Sequence, residues 1–238
     1  MSRVGTFSSS QIYRLCSFGP GKKTVDNIGK AFESYVKEVK YENQLGVSVS
    51  KEINSKSLTW GNLLEKFVYY VKLKDTNALL YGENRLVHKN IKQWTGIPDF
   101  LIDGKVTELK CPYSISSGLI PRLESYNSKD TEIFKKLMPN DYWQLISNSI
   151  LAESKYVTAM CYIPYQKDLN NIREFASEKI DEEQKTNLFF LEWSKDSELP
   201  HISNESQIKD LNKFTFEAPE EDKNFLIDRV NKAIKILK

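Results

Sequence analysis

Gly96-Ile97-Pro98-Asp99-Phe100-Leu101-Ile102-Asp103-Gly104-Lys105-Val106-Thr107-Glu108-Leu109-Lys110 is the stretch that decides the fold of this chain. Asp-Gly between alternating apolar runs is the strongest short-range signal for a two-residue hairpin. With Asp103 and Gly104 in the turn, Ile102 faces Lys105, and counting back sets Asp99 opposite Glu108. Directly opposed side chains project from one face with their Cβ atoms about 5 Å apart. Lys110 shares that face because strand side chains alternate. Two carboxylates so placed repel by roughly 4 kcal/mol at 4 Å and an effective dielectric near 20. A divalent cation held by hard oxygens would offset that repulsion, which points to a metal-dependent hydrolytic site. The alternative is a solvated strand surface on which Lys110 simply pairs with Glu108.

The rest of the chain narrows the class. Its 238 residues fit one domain, taken here as 1–238. With 40% hydrophobic and 28% charged residues the composition is that of a globular protein. No run reaches the roughly 18 apolar residues of a membrane span. The start, Met1-Ser2-Arg3-Val4-Gly5-Thr6-Phe7, lacks the apolar core of a secretion signal. Cys16, Cys111 and Cys161 are too widely spaced for a CxxC ribbon, so reduced thiols and a cytoplasmic location are expected. His88 and His201 are the only histidines, which argues against a histidine zinc site or a His-based triad. A net charge of +2 neither announces nor excludes nucleic acid.

Periodicity and punctuation predict the elements. Ser8–Leu15 reads as a Ser-capped helix start, Ser17–Lys23 as a loop, and Thr24–Val39 as a helix. Thr59–Lys72 is a helix with Leu64, Phe67, Val68 and Val71 on one stripe and Glu65 at its edge. Gly61, one turn earlier, leaves space beside Glu65, which is either a boundary residue or a ligand pointing into a site. Leu86–Trp94 reads as a strand, and Tyr113–Lys136 as an irregular excursion with a short helix. Pro139–Ala152 is a helix with Gln144 and Asn148 four apart on one side. Val157–Tyr162 is a strand, Asp168–Lys179 a helix, Leu188–Trp193 a buried strand, Phe214–Phe216 a strand, and Pro219–Leu237 a helix. The order implies an α/β (α+β) domain with a mixed central sheet flanked by helices.

At Gly61…Glu65, Pro98-Asp99, Glu108-Leu109-Lys110-Cys111-Pro112 and Asp141-Tyr142-Trp143-Gln144, the chain resembles the PD-(D/E)xK nucleases. Among them it is similar to the phage lambda exonuclease group of viral recombination nucleases. The likeness covers about residues 1–165, leaving 166–238 unassigned. It implies a restriction-endonuclease-like core in which Asp99, Glu108 and the Leu109 carbonyl bind one or two Mg²⁺ or Mn²⁺ ions. Glu65 completes the metal site, Lys110 orients and helps deprotonate the attacking water, and Gln144 contacts the water or Lys110. Where some relatives carry a tyrosine four residues after the glutamine, this chain has Asn148. Arg3 and Ser10 match the group's 5′-phosphate-binding pattern; the alternative reading makes Ser10 only a helix cap and Arg3 a frayed terminal residue. The implied partners are double-stranded DNA with free ends, a single-strand annealing protein and a homo-oligomer, a ring trimer in this group, in a bacterial or phage-infected cell.

The function implied is a 5′ to 3′ exonuclease acting at duplex ends. A site-specific endonuclease of restriction type shares the chemistry, and a DNA-binding module with a decayed site is the non-enzymatic alternative. Nucleases carrying a four-cysteine iron–sulfur cluster are disfavoured, since only three cysteines exist.

Overall fold

The structure, a computed structural model, describes residues 4–49, 55–82, 84–179 and 182–237, with the backbone alone for 182–187. Arg3 therefore lies outside the described residues. The hairpin forms in the expected register: β5 (Phe100–Ile102) pairs antiparallel with β6 (Lys105–Lys110), Ile102 opposite Lys105 and Phe100 opposite Thr107. Both turn residues have positive φ, 49° at Asp103 and 74° at Gly104, as a primed two-residue turn requires.

Around this hairpin runs a five-stranded mixed sheet. It adds β2 (Ala78–Leu80) beside β5, and β7 (Tyr156–Tyr162) and β8 (Leu211–Glu217) beyond β6, in the order β2-β5-β6-β7-β8. β6 and β7 are parallel, so the chain between them must cross over. It does so through α3 (Ile120–Ser128), α4 (Thr131–Leu137) and α5 (Pro139–Leu151). A second mixed sheet joins β1 (Phe7–Ser8), β4 (Trp94–Gly96) and β3 (Leu86–Val87) in the order β1-β4-β3.

Both faces of the five-stranded sheet are buried, and the period of two sorts its residues between two cores. Val106, Val157, Ala159, Cys161, Phe214 and Phe216 pack with α1 (Lys30–Leu45), α5 and α8 (Glu220–Leu237). Phe100, Leu109, Met160 and Tyr162 pack on the other face with α2 (Lys56–Phe67), α6 (Leu169–Lys179) and α7 (Glu182–Trp193). No helix among the described residues is long and apolar enough to cross a membrane.

Six expectations from sequence need correction. Leu188–Trp193 is the end of helix α7, not a strand: Leu188 and Leu191 are buried three apart, while Phe189 and Trp193 are exposed. A short apolar run does not distinguish the two periods. Helix α1 starts at Lys30 rather than Thr24, because Val25 and Asn27 give their carbonyls to Arg229 and the Asn27 amide donates to Gly19, Pro20 and Lys22. Leu86–Trp94 is two short strands around a turn in which the His88 Nδ1 accepts from the Asn90 and Ile91 N–H groups. Tyr113–Lys136 is mostly helical, with a π-helical turn, Ile115–Leu119, running into α3 and then α4. Near the N-terminus, Ser9–Cys16 is a 3₁₀ helix flanked by Ser8, whose side chain makes no capping bond, and Ser10 lies within the helix rather than at its cap. The Thr59–Lys72 helix exists as α2 continued by a π-helical turn, Val68–Lys72, though Val71 is exposed rather than on the buried stripe.

Candidate active site

Asp99 directly precedes β5, and its carbonyl accepts from the Tyr81 N–H at 3.2 Å, which ties it to the end of β2. Its Oδ2 accepts from the Leu109 N–H at 2.7 Å, across the hairpin. Glu108 is 1% exposed, on the face of β6 opposite that of Leu109, and its carboxyl feels the charge of Asp99. Continued by one residue, the observed register sets Asp99 opposite Glu108. Lys110 follows on the same face, its Nζ 3.4 Å from Glu108 Oε2.

Helix α5 closes the site from above. Proline at its first position preorganises the start of the helix. Gln144 and Asn148, one turn apart, both reach the same carboxylate. Gln144 Nε2 donates to Glu108 Oε2 at 2.5 Å, and Asn148 Nδ2 donates to Oε1 at 2.5 Å. Gln144 Oε1 in turn accepts from Lys110 Nζ at 3.1 Å. Glu65 comes from α2, on the opposite face of the sheet, and its charge is felt by Asp99 and Lys110. The space beside Gly61 is open.

Acid outweighs base here. Burial, and then the neighbouring Asp99, push the Glu65 carboxyl up to about 7. Burial likewise raises Asp99 and, with Asp99 adding its charge, lifts Glu108 well above the ordinary carboxylate range. For Lys110, burial pulls downward, but Glu108, Asp99 and Asp141 more than reverse it, so its ammonium is retained. Burial also raises the Cys111 thiol far above its ordinary value, which keeps that neighbour of Lys110 protonated and inert.

This donor set suits a hard divalent cation. Among the described residues no three His, Cys, Asp or Glu side chains cage an ion by themselves. Mg²⁺ asks for less: one or two carboxylates, with water and substrate phosphate filling the rest of its shell. Asp99 and Glu108 supply two neighbouring carboxyls that burial disfavours as anions and that a positive charge would stabilise. Ser10, the other candidate from sequence, is 3.3 Å from Ser8 Oγ and belongs to the N-terminal segment rather than to this cluster.

Sequence reasoning gave Asn148 no role, and it passed over Ser9, Gly96 and Ser147, which line the wall behind the site. The available signal was a polar stripe, Gln144, Ser147 and Asn148, on a helix otherwise apolar on that side.

The raised carboxyl of Glu65 has a consequence for stability. Between its ordinary value and about 7, folded protein holds a proton that the unfolded chain has released. Stability from this group is therefore lost as pH rises through that window. In metal-free buffer the melting temperature of wild type relative to Glu65→Gln should fall between about pH 5 and pH 8. A difference that stays constant across that range would show that Glu65 titrates as an ordinary surface acid.

No protein-family model and no curated protein matches the sequence. Solved structures do match. The alkaline exonuclease LHK-Exo from Laribacter hongkongensis superposes with a TM-score of 0.61 at 12% identity, over 99% of this chain and 89% of that one. Its complex with dAMP gives 0.60 at 13% identity, with the same coverage. A phage-related exonuclease from Haemophilus somnus 129PT gives 0.58 at 15%, over 98% of this chain and 93% of that one. The chain is thus a mixed α/β protein with the fold of these exonuclease structures.

Proposed function

We propose that this chain is a metal-dependent DNA exonuclease that hydrolyses phosphodiester bonds at duplex ends, 5′ to 3′, and leaves single strand for an annealing partner. The observation that carries the reading is the cluster of Asp99, Glu108 and Lys110 on one sheet face with Gln144 of α5 above it, in which Lys110 and Gln144 both bond Glu108 and each other. That the superposed structures are exonucleases supports it. So does dAMP in one of them, a deoxymononucleotide of the kind that stepwise hydrolysis of DNA releases.

Asp99, Glu108, the Leu109 carbonyl and Glu65 would hold Mg²⁺ or Mn²⁺. Such an ion, when bound, supplies Lewis-acid stabilisation of the phosphoryl charge and a more acidic water. The chain's own residues do the positioning. The Gln144 and Asn148 amides fix both oxygens of Glu108, so that carboxylate presents one orientation. Gln144 Oε1 aims the Lys110 ammonium toward the carboxylate pair. There it can orient the attacking water and donate to the phosphate. With the acids neutralised, the Lys110 proton is held less tightly and the amine can take part in proton transfer. Arg3 and Ser10 are assigned to the terminal 5′-phosphate, and the oligomer is proposed to be a ring.

The deciding assay compares linear and covalently closed circular duplex in Mg²⁺, with 5′-phosphoryl and 5′-hydroxyl ends on the linear substrate. Release of mononucleotides from linear DNA alone, faster from the phosphorylated end, is expected. Cutting of the circle would identify a restriction-type endonuclease, and binding without turnover a non-catalytic module.

A further inference from the structure

Asn148 is wholly buried, and its Nδ2 donates to Glu108 Oε1, yet among the described residues its Oδ1 has no hydrogen-bond partner. A buried acceptor left unpaired costs free energy. Turning the amide over would set that oxygen against the carboxylate, which is worse. The side chain is thus held in the one orientation that serves Glu108, with its oxygen packed against the backbone of Gly96.

Gly96 explains how the oxygen is accommodated. A Cβ there would lie 2.2 Å from Asn148 Oδ1, 2.2 Å from Ser9 Oγ and 2.8 Å from Leu151 Cδ1. Its backbone is an ordinary strand at the end of β4, outside the left-handed region. Glycine is therefore required for space and not for conformation. Nor can Ser9 give way easily: its Oγ lies 2.7 Å from Ser147 Oγ and 3.3 Å from the Thr95 carbonyl, and Ser147 Oγ accepts from Trp94 Nε1 at 2.9 Å. Asn148 Oδ1, with no hydrogen bond to hold it, is the atom of the group that a methyl at 96 would push aside.

We propose that Gly96 and Asn148 act as one positioning unit, in which the missing side chain at 96 lets the Asn148 amide seat the Glu108 carboxylate for its cation. The N-terminal 3₁₀ helix, through Ser9, braces this unit from behind. What Glu108 does rests on the nuclease reading. The packing dependence of Asn148 on Gly96 does not.

The test is a cycle of wild type, Gly96→Ala, Asn148→Ala and the double variant. Mn²⁺ affinity is read by calorimetry and melting temperature without metal. Each single substitution should weaken Mn²⁺ about tenfold or more, as loss of an outer partner of a ligand does. The double variant should be within about twofold of Asn148→Ala, since the methyl at 96 reaches Glu108 only through the Asn148 amide, which is already gone. Its melting temperature should equal or exceed that of Gly96→Ala, because the truncated side chain relieves the contact with Asn148 Oδ1, one of the two tightest that the methyl group meets, while Ser9 Oγ stays in place in both variants. Retained Mn²⁺ affinity in Gly96→Ala, or losses that multiply in the double variant, would overturn the proposal. If Gly96→Ala does not fold, Asn148→Leu, which keeps the volume and deletes the donor, carries the test, and unchanged Mn²⁺ affinity in it would refute the unit. Wild type that neither binds Mn²⁺ nor cleaves DNA rejects the nuclease reading instead. The melting temperatures then still decide the coupling, with a double variant less stable than Gly96→Ala counting against it.

Discussion

Lys110→Ala is expected to lower Mg²⁺-dependent cleavage of linear duplex by about 10²- to 10⁴-fold, the range in which a positioned proton-transfer group contributes. Its Nζ is the cationic group bonded to both Glu108 and Gln144. Removing it takes away the group that serves the water while relieving the acids of a competing positive charge. Mn²⁺ binding should accordingly persist or tighten, and binding of DNA ends in Ca²⁺ should survive. Glu108→Ala should behave differently and lose cation affinity together with cleavage, because it deletes one of the two neighbouring carboxyls. Lys110→Arg should not rescue, since a planar guanidinium cannot replace a compact ammonium at this bridged position. Turnover of Lys110→Ala within about tenfold of wild type would remove Lys110 from the chemistry.

The largest effect on stability is expected at Arg229. It is wholly buried on α8, and its guanidinium donates to the backbone carbonyls of Leu15, Ser17, Val25 and Asn27. The rings of Phe18, Phe32 and Phe225 surround it. Burial pulls its pKa below the ordinary value, but a guanidinium stays charged in proteins. Its fork does for the 17–29 segment what a helix or strand ladder would otherwise do. Arg229→Ala takes this donor from the Leu15, Val25 and Asn27 carbonyls, Ser17 keeping the Gly29 N–H, and opens a cavity, at about 1–3 kcal/mol for each acceptor left dry. We expect a loss of about 4 kcal/mol or more in urea unfolding, a large fraction of a typical domain's 5–15 kcal/mol. Trypsin should cut faster at the exposed Lys22 and Lys23. Arg229→Lys should recover little, because three donors on one point cannot span four carbonyls. A loss below about 1 kcal/mol would mean that water satisfies the segment.

What was legible depended on how local the cause was. The hairpin register was readable because an Asp-Gly turn and a period of two are properties of ten neighbouring residues, and from them follow the shared face of Asp99, Glu108 and Lys110. Helices α2, α5, α6 and α8 were readable from their stripes. The strand expected at Leu188–Trp193 failed because its apolar run suits either period, and only packing against α2 and α6 selects the helix. The late start of α1 has its cause at Arg229, some two hundred residues away in the chain. Asn148 and Gly96 were silent for the same reason: the need for glycine is set by side chains from the N-terminal segment and from α5 that meet only when the sheets are assembled. The sequence by itself therefore determined which chemical groups face one another across the hairpin, because backbone alternation transmits a turn's geometry along two strands. Tertiary structure alone decided how those groups are held. The amides on Glu108, the reach of Glu65 around the sheet and the clamp on the 17–29 segment are all contacts between elements whose separation in the chain carries no local signal.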